Sequence, residues 1–560
     1  MRWPTHHVTN QPPPLAGINL FDSDPALLAA VRRESAGTTG SNDHWPAHRS
    51  TLTRLGASVF SADAQLLAEQ ANRHSPELQI HDRYGHRVDA LRFDPAWHAL
   101  LRMLRASGLQ ARAWLQPEQG AQVARAAAFY LHAQLEAGSL CPVTMTFAAL
   151  PVLRREPWFA TLAGKLQAET HDPRDLPLAA KDAILIGMGL TEKQGGSDLR
   201  GTQTTATSVG QDGRGERYLL NGHKWFFSAP QCDAHLVLAN SDAGLSAFFV
   251  PRWRDDGSKN AVLVQQLKDK LGNRSNASAE VEFLDAEGVL VGEPGRGIAT
   301  LVEMANTTRL DCAIASAALM RAALVQAIHH ARHRVAFGRP LVSQPLMMNV
   351  LADLALESQA AMLLVLRIAR AVDTGDAAIV RLLTPAAKFW ICKRAMGFVA
   401  EAMEVLGGNG YVESTPLARL YREAPVNSIW EGSGNVMCLD VLRAARQDQN
   451  TIDALLSALS ATLAGHADWQ TMISGLRRDL KLPPPEQERL ARRIAQRLVL
   501  VLQASLMAAH AGEIAASAFL ASRRAIDHGE VAGLLECSLD DCARIIAEAY
   551  PEEKTARGND

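Results

Sequence analysis

Cysteine is scarce in this chain. Seven occur in 560 residues, and Cys141, Cys232, Cys312, Cys392, Cys438, Cys537 and Cys542 are scattered with no CxxC spacing. Such a set excludes a disulfide framework and reads as reduced thiols, with no metal site to expect. Net charge is also missing: 57 Lys and Arg against 59 Asp and Glu give −2. Nothing global therefore draws the chain to nucleic acid or to an anionic membrane, and any affinity for DNA must come from a local patch. No apolar run is read as reaching the roughly 20 residues that a membrane span requires. The start, Met1-Arg2-Trp3-Pro4-Thr5-His6-His7, lacks the apolar heart of a secretory signal. The expected location is the cytoplasm, with no membrane partner. Internal repeats are absent as well.

What is present is ordinary globular composition, 47% apolar and 21% charged, on a chain long enough for three or four domains. Residues 1–183 begin with a Pro-, Asn- and His-rich arm and continue as Ala/Leu-rich helical stretches, with residues 119–136 the strongest. Residues 184–296 change character. Short β-type runs such as Tyr218-Leu219-Leu220, Trp225-Phe226-Phe227 and Phe248-Phe249-Val250 follow one another without helices, and Asn221-Gly222 between two of them predicts a hairpin turn. A small β-barrel or sandwich is expected there. Residues 297–445 carry long apolar stripes, for example Leu351, Leu354, Ala361, Leu364 and Ile368, and predict a helical bundle. A helix over 385–406 should end at Gly407-Gly408-Asn409-Gly410. Residues 446–560 form a helical extension. The fold class is α+β multidomain.

Five segments carry chemistry. GMGLTEKQGGSD (187–198) is a Gly-rich loop offering backbone N–H groups and hydroxyls of the kind a phosphate or flavin needs, or it is simply a loop. NGHKWFFS (221–228) could lay an aromatic ring against a flat cofactor, although a plain hydrophobic strand explains it equally well. Arg334-Val335-Ala336-Phe337-Gly338 offers a guanidinium fork suited to pyrophosphate, or an Arg closing a helix. VLGGNGY (405–411) permits close backbone approach. NSIWEGSGN (427–435) sets Glu431 beside Trp430, where apolar company should raise a carboxyl pKa as a general base requires; a lone Glu is more often a solvated surface group.

In order and spacing these segments resemble the acyl-CoA dehydrogenase superfamily over about residues 185–445. Thr191 to Asp198 corresponds to its T-E-x-x-x-G-S-D loop, Phe226-Phe227-Ser228 to its W-I-T strand, and Lys270 to Arg274 to K-x-G-x-R. Val291 to Gly297, Arg334 to Gly338, Gly407 to Tyr411 and Glu431-Gly432 match L-G-x-x-G-x-G, R-x-x-F-G, G-G-x-G-Y and the base-bearing Y-E-G. The chain is more similar still to the alkylation-response flavoproteins of that superfamily, over nearly its whole length. The marks are Asn10-Gln11-Pro12, HAQLEAGSLCPVTMTFAA (132–149), KDKLGNRSNAS (268–278), TPAAKF (384–389) and PVNSIWEGSGNVMCLDVLR (425–443).

The resemblance implies an acyl-CoA dehydrogenase-like fold that binds FAD. Thr191 and Ser228 would hydrogen-bond the isoalloxazine, Phe226 and Phe227 would line it, and Met188 and Ser197 would lie on the same loop. Arg334 and Phe337 would reach the FAD of a neighbouring subunit in a homotetramer. Ile429, Trp430 and Gly432 would flank the cofactor, with Ser433 and Asn435 near its adenosine half. Glu431 would take an α-proton from an acyl thioester. Trp430 stands where Tyr is usual, Glu404 where Gln is common, and Gln344 one residue early; all three bear on the acyl-CoA cleft more than on FAD. The same resemblance implies binding of double-stranded DNA and protection from, or detoxification of, alkylating agents, with weak isovaleryl-CoA-like dehydrogenase activity. The alternative is a metabolic short- or branched-chain acyl-CoA dehydrogenase with no DNA role. Residues 441–560 hold 14 Lys/Arg against 16 Asp/Glu, so DNA contacts are sought locally: Arg477, Arg478 and Lys481, then Arg489, Arg492, Arg493 and Arg497 near helical spacing, with Arg443 added by the likeness. A solvated helix face is the plainer reading of that stripe.

Overall fold

The computed structural model describes residues 4–37, 43–524, 535 and 537–551. They divide into two units. One holds Asp63–Ala121 and Leu135–Asp311; the other holds the chain up to Ala62, Gln122–Gln134 and the chain from Cys312. The class is the α+β one expected.

The first unit is built on its strands. β1 (Glu77–His81) and β2 (Arg87–Arg92) form an antiparallel hairpin inside the segment expected to be helical. The main sheet follows: β3 (Ile186–Thr191), β4 (Thr205–Ser208), β5 (Arg217–Ser228), β6 (Ala234–Ser241), β7 (Gly244–Pro251), β8 (Val262–Leu267) and β9 (Ser278–Val291). The order is β3-β5-β4-β6-β7-β9-β8, and further pairings β3–β6 and β5–β9 turn the sheet back on itself. Its interior is packed with Leu220, Phe227, Val237, Phe248, Val281 and Leu290. Strand alternation explains which aromatics enter it, because successive side chains leave a strand on opposite faces.

Asn221-Gly222 makes no turn. It lies within the continuous strand β5, at a register shift against β9 between Leu220 and Asn221. Gly222 has φ +148, and a Cβ there would meet Thr204 Cα at 2.6 Å. The glycine is needed for a bulge and for the close passage of the β4 segment, so the turn signal was real conformational information put to another use.

The second unit is helical. Pro345–Asp373 begins with proline at its first turn, where the missing N–H costs nothing. Ala377–Val405 is capped by the Asp376 carboxylate accepting from Ile379 N. Pro416–Ile429 and Gly434–Gln447 pack against it. The extension adds Gln449–Thr462, Ala467–Asp479, Pro484–Arg489, Ala491–His510, Glu513–Ser522 and Leu539–Ala549. Ala491–His510 lies on three of the bundle helices and Leu539–Ala549 on Pro345–Asp373. Arg523, buried, binds Asp353 and donates to Glu357 at 3.2 Å, both on Pro345–Asp373. All seven cysteines are free thiols, and among the described residues no cluster of His, Cys, Asp and Glu is placed to hold a metal.

The expectation that no segment could span a membrane needs correction. Gly297–His333 and Pro345–Asp373 are both long and apolar enough by composition, but 83% of each apolar window is buried within the protein. Small residues and isolated Arg and Asp interrupt both stretches, so neither is an unbroken apolar run in the sequence.

Candidate functional site

In the sheet unit, β3 lies antiparallel to β5 with Met188 opposite Ser228, Gly189 opposite Phe227 and Thr191 opposite Phe226. Five of the predicted side chains thus share one strand pair. Glycine permits the approach: a Cβ on Gly189 would stand 2.1 Å from Phe227 Cδ2, and one on Gly187 would stand 2.3 Å from His235 Cδ2. Phe226 is 50% exposed, with Lys268 Nζ 4.7 Å from its ring centroid. Phe227 corrects the sequence reading. It is fully buried among core residues and packs on His235 at 4.3 Å between ring centroids, because adjacent positions on β5 face opposite ways. It supports the strand pair from behind. Met188 is buried, Thr191 and Ser228 are half-buried, and Ser197 is exposed. Ala229, directly after Ser228, adopts φ +50.

The loop after Thr191 is fixed by a residue the sequence reading passed over. Glu192 is buried and accepts from Gln203 N at 2.7 Å, Thr204 Oγ1 at 2.6 Å and Lys224 Nζ at 2.6 Å. Lys224 Nζ also donates to Leu238 O at 2.8 Å. Burial pushes the Glu192 carboxyl up, but the Lys224 ammonium, with Thr204 and Gln194, outweighs it and holds the pKa at about 2. A charged lysine inside an otherwise apolar strand, H-K-W-F-F-S, was the visible signal. Beyond Ser228, Gln231 and Asn276 have side-chain amides with no protein partner among the described residues. Unsatisfied buried amides of this kind suit a polar ligand.

In the helical unit, Glu431 occupies the turn between Pro416–Ile429 and Gly434–Gln447. Its backbone is left-handed at φ +58, next to Gly432 at φ +107, a conformation that costs a side-chain-bearing residue about 1–2 kcal/mol. Lys388, buried on Ala377–Val405, clamps the turn from both sides: Nζ donates to Trp430 O at 2.8 Å and to Gly432 O. Trp430 Nε1 donates to Asn427 Oδ1 at 3.0 Å. Ile429 and Ser433 are exposed, and Asn435 accepts from Arg492 Nε at 2.9 Å. No sequence pattern marks Lys388 as the clamp except its place in T-P-A-A-K-F.

Arg334 leads into a short hairpin, Val335-Ala336 paired with Arg339-Pro340, that is stitched to the N-terminal arm. Arg334 Nη1 donates to Asn10 O at 2.6 Å, Asn10 Nδ2 to Val335 O at 2.8 Å, and Val335 N to Asn10 Oδ1 at 2.7 Å. Gln344 Nε2 donates to Ala336 O at 2.9 Å, so its shifted position serves the hairpin. Phe337 is 97% exposed at φ +52.

The basic stripe of the extension is largely engaged. Arg493 and Arg497 both pair with buried Asp479, at 2.9 and 3.1 Å, and Arg489 pairs with Glu486 at 2.8 Å. Arg492 holds Asn435, Arg477 donates to Ser457 Oγ at 3.1 Å, and Arg443 pairs with Asp440 at 2.7 Å while 61% exposed. Arg478 and Lys481 are exposed.

The family model of the adaptive response protein AidB N-terminal domain matches residues 10–173, the acyl-CoA dehydrogenase middle domain matches 187–286, and its C-terminal domain matches 295–445. The chain is 49% identical to the putative acyl-CoA dehydrogenase AidB of Escherichia coli (strain K12), over 90% of this chain and 91% of that one. Among solved structures it resembles Caenorhabditis elegans ACDH-11 in complex with C11-CoA, with a TM-score of 0.83 at 25% identity over 98% of this chain and 94% of that one. It also resembles Bd2924 in its apo-form, with a TM-score of 0.81 at 28% identity over 90% and 99%. The chain belongs to the acyl-CoA dehydrogenase family of FAD-dependent oxidoreductases, in its AidB branch.

Proposed function

We propose that this protein uses Glu431 as a general base beside a bound FAD, and that it serves the response to DNA alkylation while retaining weak dehydrogenase activity toward short branched acyl-CoA thioesters. The observation that carries the catalytic half is the Glu431 turn, a carboxylate on a left-handed backbone whose two flanking carbonyls are held by one buried ammonium. Strained, over-determined backbone gathers where a side chain must be aimed.

The residues present fit a flavin. Phe226 offers a half-exposed ring on the strand pair that carries Met188, Thr191 and Ser228, with hydroxyls for a ring edge. Thr191 and Ser228 would hydrogen-bond the isoalloxazine, with Met188 and Ser197 on the 187–198 segment; Ile429, Trp430 and Gly432 would flank it, and Ser433 and Asn435 would approach the adenosine. Arg334 and Phe337 would reach the cofactor of a neighbouring subunit in a homotetramer. The chemistry a bound FAD would supply is that of a hydride acceptor. Glu431 takes the α-proton, and its fixed turn spares the reorientation that would slow transfer, a role worth about 10²–10⁴-fold. Trp430, bulkier than the usual Tyr, narrows the thioester cleft.

The DNA half rests on likeness over 90% of the chain to a protein named AidB and on the adaptive-response domain at residues 10–173. The cell compartment consistent with both is the cytoplasm. A visible spectrum of the purified protein, followed by anaerobic titration with isovaleryl-CoA, tests the chemistry. We expect a flavin spectrum that bleaches, and a Glu431→Gln variant that keeps its FAD and does not bleach. Bleaching by the variant at the wild-type rate removes Glu431 from the base role.

A further inference from the structure

Glu34 ends the helix Pro25–Glu34 and its side chain is fully buried. Arg33 Nε donates to Oε1 at 3.0 Å, and Arg367 donates through Nε at 2.9 Å and Nη2 at 3.0 Å. Arg370 Nη1 stands 3.7 Å from Oε2. Arg367 Nη2 also lies 3.2 Å from His510 Nε2. Burial, then the neighbouring Arg33 and Arg367, keeps the His510 pKa below its ordinary value, so its ring is a neutral acceptor.

One carboxylate cannot satisfy three guanidinium groups. Each carries five N–H donors, and among the described residues Glu34 is the one carboxylate paired with the three of them, which leaves two positive charges in excess there. The shortage is visible at a named atom: Arg33 Nη2 is buried and has no hydrogen-bond partner among the described residues. A buried donor on a charged group left unpaired is strongly unfavourable unless something external fills it. The cluster is open to such a ligand, since the side chains of Arg33, Arg367 and Arg370 are 27%, 35% and 31% exposed.

We propose that Arg33, Arg367 and Arg370 form a binding site for a phosphate group, with Glu34 as the internal spacer that fixes the guanidinium planes. Guanidinium forks match tetrahedral oxyanions by paired N–H···O bonds, which a halide cannot reciprocate. The surplus charge of two suits a phosphate monoester or pyrophosphate. The residues come from positions 33, 367 and 370, so no local sequence pattern could show them together. The site stands independently of the alkylation-response reading and lies outside the stripe of the extension.

The test is calorimetric titration of the full-length flavoprotein with sodium pyrophosphate, ionic strength held constant with chloride. Wild type should bind, and Arg370→Gln should bind roughly ten-fold or more weakly, the scale of one lost charge-assisted bond. Arg73→Gln, an exposed position in the other unit, should match wild type. Arg370→Lys keeps the charge without the fork; it should also weaken binding and serves if the Gln variant melts early. Wild-type protein that binds no pyrophosphate, or an Arg370→Gln protein that binds as wild type, overturns the site. A short DNA duplex supplies the second arm. Duplex binding weakened by Arg370→Gln and competed by pyrophosphate makes the ligand a nucleic-acid phosphate; duplex binding untouched while pyrophosphate binding falls makes it a free phosphate compound.

Discussion

At the scale of single residues, Lys388 and Glu431 form one device. The lysine is buried and its bonds to Trp430 O and Gly432 O set the direction in which the carboxylate leaves the turn. Hydrogen bonds from a charged donor are worth about 1.5–3 kcal/mol each. A Lys388→Met variant should therefore keep its FAD but lose roughly ten-fold to hundred-fold in kcat, with little change in KM, because the base is misaimed more than the substrate is repelled. Its pH–rate profile should shift too, since a freed Glu431 samples new surroundings. Wild-type kcat and an unmoved profile would show the clamp to be structural only. Glu431 was legible from its motif. The clamp was not, since it lies 43 positions earlier in sequence and a buried lysine looks like any other on a helix. Phe226 and Phe227 show the same limit in miniature: the motif names both, and only the strand face decides which one meets a ligand.

At the scale of elements, the Glu192–Lys224 pair fastens the loop after β3 to β5 and, through Leu238 O, to β6. Its pH dependence has a definite sign. Glu192 is held at about 2, below its ordinary 4.5, so its contribution is fully present above pH 4.5 and is lost as pH falls from there through about 2. Acid titration of stability should show that loss in wild type. Lys224→Met should lower stability by about 3–5 kcal/mol at pH 7, the usual effect of removing one partner of a buried pair, and should flatten the slope between pH 4.5 and 2. Denaturant melts at pH 7 and pH 3 measure both; an unchanged slope would mean that the pair does not organise the sheet. The strands themselves were readable from short β-branched and aromatic runs. The bulge at Gly222 and the hairpin β1–β2 were not, because the first depends on the nearness of Thr204 and the second on a pairing of weakly apolar segments.

At the scale of the whole molecule, helical periodicity found the basic stripe but could not see its partners. Asp479 neutralises Arg493 and Arg497, so reversing charge there acts first on folding. We expect Arg493→Glu with Arg497→Glu to lower the melting temperature by several degrees, as loss of both partners of a buried carboxylate implies. If the proposed DNA role holds, affinity for a duplex should fall no further than that unfolding explains. A selective loss of DNA binding in a protein that melts like wild type would return the stripe to the interface.

Arg523 gives the extension a different standing from an appended module. Because it supplies a buried cation to Asp353 and, beside Arg394, to Glu357 deep in the bundle, a chain cut short before it would take one counter-charge away from that pair of acids. Losing the tail is therefore felt inside Pro345–Asp373, the helix that carries both acids, and not only on the surface it covered.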